Sequence, residues 1–125
     1  TKTDIDQYTF VIDSKAGYYT VAGPLRIGAI IAGVSGKKLD KITDFGLHLG
    51  RCFQIVYDSL DYEQDKTEGK VTRATSKGID FAKKAAQKER QIAKDVFDKD
   101  LKFLSHEPAR TKLTELIDFI LERDH

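Results

Sequence analysis

The residues with spacing suited to chemistry lie between positions 54 and 61. Gln54, Asp58 and Asp61 follow one another at intervals of four and three, so on a helix they form one polar stripe at the end of an apolar segment. Carboxylate oxygens are ligands that Mg²⁺ prefers, and this ion often shares its site with substrate phosphates. Asp58 and Asp61 are therefore candidate magnesium ligands. The alternative is a solvated helix end with ordinary acidic residues, and spacing alone favours that alternative.

Lys15 is the candidate cation for a phosphate. It lies in a glycine-containing stretch, residues 14–17, between two apolar segments, where an ammonium group could face a phosphate. An ordinary exposed lysine is the alternative. His48, His106 and His125 share no metal-ligand spacing, so we assign no zinc site.

Length and composition exclude several classes of function. The 125 residues contain 21 Lys and Arg against 20 Asp and Glu, with the signs interspersed, which argues against binding to nucleic acid. The longest apolar run, residues 27–34, is far shorter than the roughly 20 residues of a membrane-spanning helix. Cys52 is the single cysteine and is expected to be a small core residue in a reducing compartment, which predicts a cytoplasmic location. Because the chain begins at Thr1 and contains no methionine, we expect a piece of a longer polypeptide.

Apolar residues recur at spacings of three and four, which predicts an all-α helical bundle in a single domain over residues 1–125. A first helix is expected to start with Thr3 or Asp4 as its N-cap and to end at a break over residues 14–17. A second helix, residues 18–32, is almost wholly apolar. We expect it to be kinked at Pro24 and to lie in the middle of the bundle.

Apolar residues continue at spacings of three and four over residues 37–61 without a helix breaker. This pattern predicts a third helix about 37 Å long. Gly46 and Gly50 lie one turn apart in it and would let a neighbouring backbone approach closely. An exposed loop is expected over residues 62–76, before a fourth helix over residues 77–104. Its predicted buried edge is Ala82, Ala86, Ala93, Val96, Leu101 and Leu104. A last helix opens at Pro108, and its predicted inward residues are Leu113, Leu116, Ile117, Ile120 and Leu121.

Two stretches of the chain, in this order, carry a family resemblance. The first contains Lys15 and then Pro24-Leu25-Arg26-Ile27-Gly28-Ala29, and the second, residues 45–61, reads FGLHLGRCFQIVYDSLD. They closely resemble the trans-isoprenyl diphosphate synthases, the polyprenyl synthetase family. In that family a Lys-Thr pair precedes a Pro-Leu-x-x-Gly-Ala helix, and an FGxxLGxxFQIxDDxLD helix carries the second aspartate-rich motif. The match is good over residues 8–61 and looser from residue 78, where residues 113–123 resemble the family's C-terminal helix.

The resemblance implies the C-terminal half of the isoprenoid synthase fold and a prenyl-transfer reaction. In this reaction an allylic diphosphate ionises, the carbocation alkylates isopentenyl diphosphate, and a proton is lost. Mg²⁺ between aspartates and diphosphate oxygens would stabilise the charge on the leaving group. Carried over by position, Lys15, Gln54 and Lys70 match diphosphate-binding residues, and Asp58 and Asp61 match metal-binding carboxylates.

The chain departs from the family pattern at several points. Tyr57 stands where the second motif has its first aspartate, and a neutral phenol does not replace a carboxylate on Mg²⁺. Ala16 replaces the threonine that follows the lysine. The family's lysine-bearing loop and a further helix are compressed into residues 63–76, and the first aspartate-rich motif has no counterpart. We therefore expect the chain alone to be inactive in prenyl transfer.

Three functions remain open from the sequence. The first is a C-terminal portion or short subunit of an isoprenyl diphosphate synthase, with allylic diphosphate and isopentenyl diphosphate as substrates. The second is a non-catalytic regulatory or scaffold partner of a full-length synthase, a role that Tyr57 makes attractive. The third is an unrelated helical binding module. Because missing N-terminal helices would expose apolar faces, we expect a homo- or hetero-oligomer with a chain that supplies the N-terminal half.

Overall fold

The computed structural model describes residues 7, 10–11, 13–60 and 78–122, and these residues are mainly helical. In chain order the elements are a π-helix, Asp13–Ala22, and four α-helices: α1, Gly23–Ile31; α2, Gly36–Leu60; α3, Ile79–Asp100; and α4, Ala109–Glu122. The described segments contain no strand, so the predicted all-α fold class is confirmed. The predicted first-helix start at Thr3 or Asp4, the expected loop over residues 62–76, and the candidate ligands Asp61 and Lys70 lie outside the described residues.

The π-helix runs through residues 14–17, so the predicted break there is wrong. A π-helix pairs residues five apart, and the hydroxyl of Thr20 adds a side-chain bond in the same register by donating to the carbonyl of Lys15 at 3.0 Å. Gly17 is buried within this element, and the element packs along α2. Tertiary packing therefore outweighs the helix-breaking tendency of the local sequence.

Helix α1 begins at Gly23, so the predicted single helix over residues 18–32, kinked at Pro24, is divided between the π-helix and α1. Pro24 instead lies in the first turn, where its missing N–H costs no hydrogen bond. The predicted central position is also wrong, because α1 contains no buried residue and Ile27 and Ile31 are 62% and 81% exposed. The main neighbours of α1 are the π-helix and α2, and Ile27, Ile30 and Ile31 remain more than half exposed beside them.

Helix α2 is the central element and lies within one residue of its predicted limits at both ends. It packs chiefly against α3 and the π-helix. The ring centroids of Phe45 and Phe97 lie 5.4 Å apart between α2 and α3. Cys52 is fully buried, as predicted. A Cβ atom on Gly46 would lie 2.7 Å from the Cα of Ala22, which confirms the close backbone approach predicted there.

Helix α3 ends at Asp100, four residues before its predicted end. The carbonyl of Leu101 and that of Leu104 each accept a hydrogen bond of 2.8 Å from Arg110, which stabilises the turn that follows the helix. Ala82, Ala86, Ala93 and Leu101 are buried as predicted, and Val96 and Leu104 pack on the core less deeply. Phe97, which is 1% exposed, was missing from the predicted edge.

Helix α4 follows Pro108, as predicted. Ile117 and Ile120 are buried and Leu113 packs against the core, but Leu116 is 43% exposed, so its predicted inward position is wrong. A helix that packs on one side buries only one stripe of its surface, so the five predicted inward residues cannot all face the core. The side chain of Leu121 lies outside the described part. Within the described segments, no helix is long and apolar enough to cross a membrane.

Candidate functional site

Gln54 and Asp58 lie one turn apart on α2, near its C-terminal end. The amide Nε2 of Gln54 donates a hydrogen bond of 2.8 Å to Oδ1 of Asp58. Asp58 is 3% exposed, so it does not belong to a solvated helix end. Because a buried carboxylate is costly without hydrogen-bond donors, the Gln54 amide both stabilises Asp58 and fixes one of its oxygens.

The donor chemistry of this pair fits Mg²⁺. This ion takes one or two carboxylates and completes its shell with waters and substrate phosphates, so Asp58 and one further carboxylate would suffice. In residues 13–60 and 78–122 no group of three His, Cys, Asp or Glu side chains is placed to hold a metal. A metal at Asp58 would therefore need Asp61 or a bound diphosphate as further oxygen donors.

The other candidate residues lie on the π-helix and on α2. Lys15 is exposed on the π-helix, so its ammonium group is accessible to an anion from solvent. Tyr57 is 44% exposed and its ring stacks on that of Phe53, with the ring centroids 6.1 Å apart. Tyr57, at the position of the first aspartate of the second aspartate-rich motif, thus forms an aromatic surface with Phe53 next to the Gln54–Asp58 pair.

A partly buried ion-pair network on the same helix was missed from the sequence. Arg51 pairs with Asp13 of the π-helix through two contacts, Nε to Oδ1 at 2.6 Å and Nη2 to Oδ2 at 3.1 Å. The hydrogen bond that Arg51 donates to Asp13 is the largest cause of the raised pKa of the Arg51 guanidinium, and burial opposes it. At 3.6 residues per turn, Arg51 and Asp58 lie two turns apart on one face of α2.

The network continues from α2 to α3. Nδ1 of His48 lies 2.5 Å from Oε2 of Glu89, and Nη1 of Arg51 lies 4.0 Å from Oε1 of the same carboxylate. The sequence signal was weak: His48 and Arg51 are polar residues three apart in an otherwise apolar stretch. Glu89 lies 41 residues from His48, and Asp13 lies 38 residues from Arg51. Only the tertiary structure therefore identifies these partners.

Comparison with known proteins adds to this geometry. A family model described as polyprenyl synthetase matches residues 1–104, a span that contains Lys15, Gln54 and Asp58. The chain belongs to the polyprenyl synthetase family. It is 30% identical over 114 residues to a protein of Arabidopsis thaliana named geranylgeranyl pyrophosphate synthase 4. That alignment covers 79% of this chain, and the chain spans 28% of the length of the relative. No solved structure matches the chain significantly.

The family match confirms the resemblance carried by residues 15–29 and 45–61. The matched span ends at residue 104, before α4 begins. Helix α4 packs against α2 and α3, which both lie inside that span. Membership in the polyprenyl synthetase family also excludes the third alternative, an unrelated helical binding module.

Proposed function

We propose that this chain supplies a magnesium- and diphosphate-binding part of an isoprenyl diphosphate synthase. The enzyme would condense an allylic diphosphate with isopentenyl diphosphate. The observation that carries the proposal is Asp58, a buried carboxylate held by Gln54 inside the span that matches the polyprenyl synthetase family. Buried ionisable groups are concentrated at functional sites because their burial is otherwise unfavourable.

The chain's residues have distinct roles in this proposal. Asp58 and Asp61 present carboxylate oxygens to Mg²⁺, and Gln54 orients Asp58 through its amide N–H. Lys15 and Lys70 bring ammonium groups to the phosphate oxygens. Bound Mg²⁺ would stabilise the negative charge that develops on the leaving diphosphate.

Binding of inorganic pyrophosphate tests the proposal directly. In calorimetric titrations, we expect the protein to bind pyrophosphate in the presence of Mg²⁺, and Asp58→Asn to weaken the affinity at least about tenfold. Asp44→Asn is the matched control, because Asp44 is exposed on the same helix, about 21 Å before Asp58. Equal binding without Mg²⁺, or an unchanged affinity in the Asp58 variant, would contradict the proposal.

We also propose that the chain alone does not transfer prenyl groups. Tyr57 stands where the second aspartate-rich motif has its first carboxylate, so one metal-binding group is absent. The chain also spans only 28% of the length of its relative. Incubation with Mg²⁺, labelled isopentenyl diphosphate and allylic diphosphates should therefore give no longer product. Elongation by the chain without any partner would contradict this. In an assembly with an N-terminal half, Tyr57→Asp should raise Mg²⁺-dependent binding of pyrophosphate.

A non-catalytic partner of a full-length synthase is the second proposed function, favoured by the exposed ring of Tyr57 on Phe53. It predicts that Tyr57→Asp leaves metal binding and activity of the assembly unchanged while association with the synthase persists.

An oligomer and a cytoplasmic location complete the proposal. The exposed apolar side chains of α1, Ile27, Ile30 and Ile31, support association with a second chain. Light scattering of the purified protein should give a mass above that of one chain. A stable monomer at all concentrations would contradict the oligomer.

A further inference from the structure

The Asp13–Arg51 ion pair joins the two elements that carry the proposed diphosphate site. Asp13 begins the π-helix, two residues before Lys15, and Arg51 lies on the same face of α2 as Asp58. Both oxygens of the carboxylate accept from the guanidinium, Oδ1 from Nε at 2.6 Å and Oδ2 from Nη2 at 3.1 Å. Two such hydrogen bonds fix the orientation of the two side chains as well as their separation. The pair therefore restricts how the start of the π-helix can turn against α2.

A second contact, at the other end of the π-helix, sets its direction along α2. The Cα of Ala22 lies 2.7 Å from the place that a Cβ on Gly46 would occupy, so the two backbones lie in close contact there. Asp13, at the start of the π-helix, meets α2 at Arg51, which is further along α2 than Gly46. The two elements thus run antiparallel, and the first turn of the π-helix is the end nearer to Asp58.

Glu89 of α3 holds the same guanidinium from another side. Its Oε1 lies 4.0 Å from Nη1 of Arg51, and its Oε2 lies 2.5 Å from Nδ1 of His48. The Arg51 side chain is 26% exposed and that of Glu89 is 18% exposed, so water screens these charges only in part. Arg51 is therefore tied to α3 and offers Asp13 donors in a fixed position.

We propose that Asp13 and Arg51 are positioning residues: their ion pair holds the π-helix so that the ammonium group of Lys15 reaches a diphosphate bound at Asp58. The inference rests on the proposed function, which assigns Lys15 and Asp58 to one site. The family motifs do not specify the pair, because Arg51 takes an open position of FGxxLGxxFQ and Asp13 precedes the lysine. In this role the pair acts through Lys15 and does not itself contact the phosphate.

Replacement of Asp13 separates positioning from simple electrostatics, because the two predict changes of opposite sign. Asp13→Asn removes a negative charge near Lys15, so charge alone predicts tighter binding of pyrophosphate. Loss of positioning predicts weaker binding, and in calorimetric titrations with Mg²⁺ we expect the dissociation constant for pyrophosphate to rise about three- to tenfold. Asp118→Asn is the matched control. It removes a carboxylate that pairs with Arg90 between α3 and α4, and it should leave this affinity unchanged.

A double-mutant cycle with Lys15 tests whether the pair acts through that lysine. In the Lys15→Met protein, adding Asp13→Asn should change the dissociation constant by less than about twofold, because no ammonium group is left to position. A merely structural role would give the same fold-change in both backgrounds. Arg51→Lys keeps the charge but loses the two-point contact, so it should weaken binding as Asp13→Asn does.

A measurement without ligand covers any variant that binds too weakly for titration. In Asp13→Asn, amide hydrogen exchange should speed up along the π-helix and stay unchanged in α4, which the pair does not contact. Binding that is unchanged or tighter in Asp13→Asn, equal effects with and without Lys15, or unchanged exchange in the π-helix would each overturn the inference. The proposed function would survive these results as long as the unaltered protein binds pyrophosphate. Absence of that binding would refute the proposed function, and the inference with it.

Discussion

Arg51 and Asp13 form a two-point ion pair that joins α2 to the π-helix, with Nε 2.6 Å from Oδ1 and Nη2 3.1 Å from Oδ2. The Arg51 side chain is 26% exposed and that of Asp13 is 32% exposed, so water screens the pair only in part. Glu89 lies on the other side of the same guanidinium, 4.0 Å from Nη1. Arg51 is therefore a single cation that connects α2 to both of its main neighbours.

A double-mutant cycle on this pair should give a favourable coupling energy. We expect about 1–2 kcal/mol between Asp13→Asn and Arg51→Met in urea unfolding, because two partly buried, charge-assisted hydrogen bonds are lost together. The pair Lys112–Glu115 is the control, since its side chains are 74% and 63% exposed at 3.8 Å. Its coupling should stay below about 0.5 kcal/mol. Equal coupling energies for the two pairs would contradict the prediction.

Two helical glycines should respond to alanine in opposite directions. Gly46→Ala should destabilise the protein by about 1–3 kcal/mol, because the added Cβ would meet the backbone of Ala22 at 2.7 Å. Gly28→Ala is the matched control in α1, where the added Cβ would have no neighbour within 4 Å among the described residues, apart from the adjoining backbone of α1 itself. It should stabilise the protein by about 0.5–1 kcal/mol through helix propensity. Urea midpoints of both variants test this, and a loss of stability in Gly28→Ala as large as in Gly46→Ala would contradict it.

Cys52 should make the protein less stable in alkali. Burial raises the pKa of its thiol to about 12 from an ordinary value of 9.0. Because the pKa is raised in the folded state, the contribution of the thiol to the free energy of unfolding is complete below about pH 9. This contribution is lost as the pH rises toward 12. Between about pH 9 and pH 10 the protein should lose about 1 kcal/mol more stability than Cys52→Ala. Urea unfolding at both pH values measures this difference.

Reaction with a thiol reagent provides an independent check on Cys52. The thiolate is the reactive form, so at about pH 8 the buried thiol should react only after the protein unfolds. Fast labelling of the native protein, or parallel pH profiles of the protein and Cys52→Ala, would show that the thiol is accessible.

The sequence predicted α2 well because apolar residues recur at spacings of three and four along it without interruption. The predicted helix then placed Gln54 and Asp58 one turn apart. Helix α1 was misplaced because periodicity reports which residues are apolar, not what covers them: Ile27 and Ile31 remain exposed. The π-helix was missed because local propensity at Gly17 favours a break, and packing against α2 decides otherwise. The Arg51 network joins residues far apart in the chain, and no local pattern encodes such pairs.

Arg110 should be a large single contributor to the packing of α4 on α3. Its Nη1 donates to the carbonyls of Leu101 and Leu104 at 2.8 Å each, and its Nη2 to the carbonyl of Phe97 at 3.2 Å. The guanidinium carbon lies 4.2 Å from the centroid of the Phe97 ring. The carbonyls at a helix C-terminus lack intrahelical partners, so Arg110 supplies a donor to the carbonyl of Phe97 in the last turn of α3 and also bonds two carbonyls of the turn that follows.

Arg110→Ala should therefore lower the free energy of unfolding by about 2–3 kcal/mol. Arg110→Lys should recover part of this loss, because an ammonium group keeps the charge but cannot reach three carbonyls in the planar geometry of a guanidinium. Lys112→Ala, an exposed change two residues further along the same helix, should change stability by less than about 0.5 kcal/mol. Amide hydrogen exchange should speed up first at Leu104, whose N–H donates to the carbonyl of Leu101. Unchanged exchange there in Arg110→Ala would show that the turn holds without the guanidinium.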